Sequence, residues 1–93
     1  MTSNIYETQP LLEQYLLFHY GTAEQTMPFA FGPREGLDYP KRCVTQCLDV
    51  SALSQNSRAL DLGCSVGRSS FELARFVGQV IGIDLSESFI GAA

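Results

Sequence analysis

The sequence predicts an α/β fold in which a parallel sheet is preceded by a helical N-terminal extension. Three observations carry this. Residues 58–62 (Arg-Ala-Leu-Asp-Leu) and 80–84 (Val-Ile-Gly-Ile-Asp) are short, nearly continuous apolar runs, as strands covered on both faces should be. A helix over Arg68–Val77 separates them and another opens at Ser86, so the order strand–helix–strand–helix implies a right-handed crossover between parallel strands. The turn Gly63-Cys-Ser-Val-Gly67 joins the first strand to its helix, where such folds bring backbone close to a nucleotide-like ligand.

The elements follow in order. Thr8–Tyr20 reads as a helix, with Thr8 as cap, Pro10 near the first turn and Gly21 as stop; Leu11, Leu12, Tyr15, Leu16, Phe18 and His19 fall at helical spacing. Residues 21–38 read as loop, punctuated by Gly21, Pro28, Gly32, Pro33 and Gly36. Met27, Phe29 and Phe31 make that loop apolar enough to pack on something. Pro40–Val50 is expected to be helical, with Cys43, Val44, Cys47 and Leu48 on one face. Ser51–Ser57 is a polar connection, and Gly78 separates the Arg68–Val77 helix from the strand Val80–Asp84.

The C-terminal residues Ser86–Ala93 read as the first turns of a helix, capped by Ser86, with no stop signal. A fragment of a longer polypeptide is therefore expected, with residues 1–57 as a helical extension or lid and 58–93 as the first βαβ(α) unit of an incomplete domain. Two parallel strands bury little core, so the 93-residue piece alone is expected to be marginal or oligomeric, and inactive.

Composition narrows the class. At 45% hydrophobic and 17% charged residues, the chain is globular. Net charge is −4, and the six basic residues are spread from Arg34 to Arg75 without a cluster, so no nucleic-acid partner is expected. No apolar run approaches a membrane span, and the first residues lack the pattern of a signal peptide. Three cysteines, an odd number, fit a reducing compartment; a cytoplasmic protein with no membrane partner is expected.

Glycine spacing in the turn separates two cofactor classes. A dinucleotide fingerprint needs glycine at positions one, three and six; from Gly63 these are Gly63, Ser65 and Arg68, and two fail. An S-adenosylmethionine turn prefers glycine at one, three and five after an acidic residue two positions earlier. Asp61, Gly63, Ser65 and Gly67 meet three of these four conditions. Gly63 lets the chain leave the strand, Gly67 keeps the helix start free of a side chain, and Ser65 narrows the gap where glycine is preferred. Cys64 offers its backbone N–H and a small volume. Asp61, near the end of its strand, is placed to orient the amino-acid portion of the ligand, directly or through water. Asp84 ends the second strand, seventeen positions after Gly67, where a carboxylate accepts both ribose hydroxyls; Leu85 is a further cofactor-binding candidate, and Ser86 with the helix start after it lies close to where the adenine would sit. A plain helix cap is the alternative for Asp84.

Tyr15 and Tyr20 are candidate lid residues over the cofactor or else core packing. Arg34, after Gly-Pro, and Arg42, one turn into its helix, are candidates to grip a carboxylate of the ligand or substrate, against a plain surface role. His19 reads as a packed, hydrogen-bonded histidine and Arg68 as a local cap or ion pair. Cys43 and Cys47 share a helix face without further ligands, so no metal is expected and buried apolar cysteine is the reading. No catalytic residue is identifiable.

With these residues on the page, Leu60–Ser69 and Val80–Ser86 resemble a class I S-adenosylmethionine-dependent methyltransferase, which implies a Rossmann-like sheet. A narrower resemblance runs through Gln14–Gly21, Phe31–Glu35, Arg42-Cys43 and Arg58–Arg75. These segments are similar to 4-mercaptohistidine N-methyltransferases, which form part of ovothiol-type 5-histidylcysteine sulfoxide synthases or stand beside them as separate chains. The resemblance implies methyl transfer from S-adenosylmethionine to an imidazole nitrogen of a thiolated histidine, a small-molecule substrate. It also implies fusion to, or action with, a sulfoxide synthase, and allows an oligomer. A dinucleotide-dependent oxidoreductase fragment and a non-catalytic Rossmann-like module remain as alternatives.

Overall fold

The computed structural model describes residues 4–28 and 32–93. Phe29 and Phe31, expected to pack from an apolar loop, lie outside the described residues, as does the start of the Phe31–Glu35 segment.

The first helix, Gln9–Tyr20 (α1), forms where its apolar spacing predicts. Thr8 precedes it but does not cap it. Its hydroxyl donates to the Ile5 carbonyl (2.5 Å), because Ile5–Glu7 is a 3₁₀ turn of its own, capped by the Asn4 side chain. The stretch read as loop contains two short elements. Ala23–Thr26 (α2) is held by a capping box in which Thr22 and Gln25 exchange side-chain and backbone bonds of 2.9 and 3.2 Å. A 3₁₀ turn follows at Arg34–Gly36.

Tyr39–Cys47 (α3) ends three residues before the predicted Val50. The Asp49 carboxylate accepts from the Ser51 N–H (3.1 Å) and starts a separate 3₁₀ turn at Val50–Ala52. Only Val44 of the predicted apolar face is buried; Cys43 is half-buried and Cys47 and Leu48 are exposed, so the buried-cysteine reading fails at Cys47.

The strands Arg58–Leu62 (β1) and Gln79–Ile83 (β2) pair in parallel, in the register Arg58↔Gln79 to Leu62↔Ile83. The second begins and ends one residue earlier than predicted, which leaves Asp84 in the following loop. Between them, Arg68–Leu73 (α4) is four residues shorter than expected. After Leu73 the chain tightens into i→i+3 bonds, Arg75 N–H to Glu72 and Phe76 N–H to Leu73, and it enters β2 past Gly78, which packs so closely that a Cβ there would clash with the Gln55 carbonyl oxygen. Glu87–Ala92 (α5) is capped by Ser86 as predicted, its hydroxyl accepting from the Phe89 N–H (3.1 Å).

Among the described residues, the strands are covered on one face only. Helix α4 packs on the face of Ala59, Asp61 and Val80, where the Ser70 hydroxyl donates to Asp61 (2.8 Å). The opposite face is open: Leu60 is 58% exposed, Leu62 72%, and Ile81 and Ile83 51% each. The core lies instead between α3, α4, the turn and α5, with Val44, Val66, Leu73, Val77 and Phe89 buried. Glu72 is buried there between Arg68 (3.1 Å) and Arg75 (2.6 Å). Burial alone would raise its carboxyl; the two guanidinium bonds outweigh this and hold it below the usual range. Arg68 is thus the local ion-pair partner expected of it.

Candidate functional site

The turn between β1 and α4 is built from alternating left-handed residues. Gly63, Ser65 and Gly67 have φ of 72°, 54° and 92°. The one-three-five spacing read in the sequence is therefore a spacing of positive φ, a region open to glycine at little cost. Ser65 adopts it with a side chain. Both the Gly63 and Cys64 N–H groups donate to the Ile83 carbonyl (2.7 and 2.9 Å). The Cys64 amide, expected to serve a ligand, is thereby committed to the sheet. Its thiol is buried and burial, with Asp61 and Asp84 nearby, pushes it up, so it stays protonated.

Helix α1 braces the turn from behind. The Tyr20 hydroxyl donates to the Val66 carbonyl (2.7 Å). His19 Nδ1 accepts from the Arg68 N–H (3.4 Å) at the start of α4, the packed role read for it in the sequence. Burial and the Arg68 charge lower its pKa, against the pull of Asp61, which keeps the imidazole neutral and able to accept.

Asp84 ties the two loops at the ends of the strands together. One carboxylate oxygen accepts from the Ser65 N–H and the other from the Ser86 N–H, each at 2.9 Å. Ser86, fully buried, also donates its hydroxyl to the Tyr6 carbonyl (2.6 Å), and Ser88 bonds Glu7 (3.3 Å), which fastens the N-terminal turn onto α5. Tyr15 lies 4.8 Å from the Phe89 ring and Tyr6 6.2 Å from it, centre to centre.

A cavity of about 650 Å³ opens between these parts. Gly63, Ser65, Ile83, Asp84, Leu85 and Ser86 line it from the strand ends and their loops, with Asn4 and Tyr6 of the N-terminal turn, Tyr15 of α1 and Phe89 of α5. Five predicted site residues meet here: Gly63, Ser65, Asp84, Leu85 and Tyr15. Gly67, Cys64 and Tyr20 belong to the back of the turn. Asp61 faces α4, one oxygen bonded to Ser70 and the other without a hydrogen bond among the described residues. Arg34 and Arg42 do not line the cavity. Arg34 is exposed in its 3₁₀ turn, and Arg42 reaches the Leu37 carbonyl (3.4 Å) and Gln46 (3.2 Å). Asn4 and Tyr6 were not foreseen: nothing in a short N-terminal segment signals contact with Ser86, eighty positions away.

These surroundings suit a nucleoside. Each Asp84 oxygen accepts one bond and has a lone pair left for a ribose hydroxyl. The Ser65 hydroxyl is buried without a partner among the described residues, and Tyr6, Tyr15 and Phe89 present aromatic rings for a base. The volume falls within the range of small-molecule sites. Among the described residues, no group of three His, Cys, Asp or Glu is placed to hold a metal ion, and no helix is long and apolar enough to cross a membrane.

The chain is similar in sequence to known proteins. Residues 60–93 match the family described as Methyltransferase domain. The chain is 34% identical, over 85 residues, to the 23S rRNA (uracil(1939)-C(5))-methyltransferase RlmD of Acinetobacter baumannii strain AB0057, covering 81% of this chain and 18% of that protein. It is 38% identical over 52 residues to the RlmD of Marinomonas posidonica, covering 56% of this chain and 12% of that protein. The chain thus spans less than a fifth of the length of these curated relatives. Residues 60–93 are thus similar to a methyltransferase domain, whose cofactor is S-adenosylmethionine.

Proposed function

We propose that the cavity holds the adenosine part of S-adenosylmethionine and that the protein transfers its methyl group to a small molecule, the imidazole of a thiolated histidine. The observation that carries the cofactor site is the Asp84 carboxylate, fixed by two backbone amides at the mouth of a left-handed turn and lining the cavity. When bound, the cofactor supplies an electrophilic methyl carbon. The chain's own residues position and enclose. Asp84 accepts from the ribose hydroxyls, and the Gly63 backbone leaves room for the ligand. Tyr6, Tyr15 and Phe89 cover the base and exclude water, the lid role expected of the N-terminal extension. Asp61 offers its open oxygen to the ammonium group of the methionine moiety, directly or through water. Arg34 or Arg42 would reach a substrate carboxylate only from outside this cavity.

The acceptor is argued from the resemblance of Gln14–Gly21, Arg42-Cys43 and Arg58–Arg75 to mercaptohistidine methyltransferases. The net charge of −4 without a basic cluster also favours a small substrate. In this reading the protein acts in the cytoplasm beside, or fused to, a sulfoxide synthase. A second acceptor, a uracil in RNA, is favoured by the 81% of this chain that aligns with RlmD.

Calorimetry of the full-length protein with S-adenosylhomocysteine tests the cofactor site. Asp84→Ala should weaken binding by about tenfold or more, the scale of charged hydrogen bonds; undiminished affinity would exclude the proposed ribose contact. Methyl transfer from labelled cofactor to 4-mercaptohistidine, against ribosomal RNA, decides the acceptor.

A further inference from the structure

The N-terminal turn reaches the cavity without belonging to the core. Asn4 and Tyr6 line the cavity, yet Ile5, Tyr6 and Glu7 are all unburied. Hydrogen bonds and the edges of one ring hold this segment down. The buried Ser86 hydroxyl donates to the Tyr6 carbonyl (2.6 Å). The Glu7 carboxylate accepts from the Ser88 N–H and the Ser88 hydroxyl, each at 3.3 Å. The Tyr6 ring meets Tyr15 and Phe89 edge to face, with centres 6.3 and 6.2 Å apart. A segment with few buried apolar contacts and exposed hydrogen bonds opens locally at small cost.

The backbone supplies a pivot. Thr8 ends the 3₁₀ turn and precedes α1, with extended backbone at φ −85° and ψ 147°. Rotation there lifts residues 4–7 and leaves α1 in place. The bonds to α5 oppose that rotation, because lifting the segment strips a partner from the Ser86 hydroxyl and from the Ser88 N–H in the first turn of α5. Ser86 also donates its N–H to Asp84, so one residue fastens both the carboxylate and the N-terminal turn. A ligand gripped by Asp84 meets Asn4 and Tyr6 only while the segment is down, and that difference in contacts favours the closed arrangement.

We propose that Asn4–Glu7 is a latched strap: it pivots at Thr8, lifts from α5 to admit the ligand, and is fastened over it again by Ser86 and by the Glu7–Ser88 pair. Ligand release then waits on these bonds breaking. Glu7 touches no ligand and acts through the strap, which makes it a positioning residue. This inference rests on the adenosine reading of the cavity and adds to the covering role of Tyr6 the device that opens and closes it.

Surface plasmon resonance with S-adenosylhomocysteine on the full-length wild type, Glu7→Ala and Glu7→Gln tests it, together with amide hydrogen exchange of residues 5–8 with and without that ligand. Glu7→Ala removes the latch carboxylate, and Glu7→Gln keeps an acceptor oxygen for Ser88. Dissociation should be about three- to tenfold faster in Glu7→Ala, the worth of one hydrogen bond, with association no slower. Glu7→Gln should restore much of the wild-type dissociation rate. Exchange in residues 5–8 should be fast in the free wild type and slowed by the ligand, a change that a fixed wall of the cavity would not show. Wild-type binding with the same dissociation rate in Glu7→Ala, and with exchange in residues 5–8 indifferent to ligand, overturns the latch alone. Absence of binding by the wild type overturns the adenosine reading and the latch with it.

Discussion

Gly63 and Gly67 look alike in sequence but do different work. Both hold positive φ, so any Cβ is strained at either. At Gly63 a Cβ would meet nothing within 4 Å. At Gly67 it would lie 3.2 Å from Phe71 Cε2 and 3.3 Å from Ala93 Cβ, with the Tyr20 hydroxyl at 3.6 Å. Gly67→Ala therefore adds crowding to strain. We expect a loss of about 1–2 kcal/mol for Gly63→Ala and about 1 kcal/mol more for Gly67→Ala, read by urea denaturation of the full-length protein. Equal losses would show that Phe71 and Ala93 give way freely. Ligand affinity should respond in the reverse order, because Gly63 lines the cavity and Gly67 does not.

At the scale of elements, the site depends on α1 and the N-terminal turn as much as on the strands. The first N–H of α4 has no cap from its own N-cap residue, Gly67, and donates to His19 of α1. That bond needs a neutral imidazole. Burial, the largest cause, together with Arg68 lowers the His19 pKa below its unfolded value near 6.5, against the opposing pull of Asp61. Between the two values the unfolded chain binds more protons than the folded one, so stability is full above about pH 6.5 and falls as pH drops towards the folded value. Thermal melts of wild type and His19→Asn, which keeps an acceptor but does not titrate, should show a steeper loss in wild type between pH 7 and 5. Parallel curves would remove His19 from the pH dependence. Little of this was legible in sequence. The β1–turn–α4 unit and the Ser86 cap were, because each is decided within a few residues by φ or by a local hydrogen bond. Asp84 was read as the last residue of its strand and lies one residue beyond it. The bracing by His19, Tyr20 and Tyr6 was not, because a contact across 46 to 80 positions leaves no local pattern. The end of α3 was missed because Asp49 starts a separate turn, and that of α4 because the chain after Leu73 tightens into i→i+3 bonds, Arg75 N–H to Glu72 and Phe76 N–H to Leu73.

At the scale of the whole molecule, the structure is a slab of 42 × 39 × 16 Å. Its radius of gyration of 14.7 Å exceeds the roughly 12 Å of a compact domain of this length. The thin dimension follows from the sheet: helices cover one face, and Leu60, Leu62, Ile81 and Ile83 stand open on the other. Their apolar character is what a sheet covered on both faces requires, so the sequence of the strands anticipates a layer that the described residues do not provide. A contiguous apolar face of this kind drives association. Residues 1–93 expressed alone should therefore sediment above the 10.2 kDa monomer, with a mass that rises with concentration. Leu60 and Ile81 are direct cross-strand partners, so Leu60→Lys with Ile81→Glu places an opposite-charge pair on the open face away from the residues that line the cavity. The double variant should shift the sedimentation profile to monomer. A wild-type piece that stays monomeric at every concentration, or a double variant that associates as before, would place the sticky surface elsewhere than on this sheet.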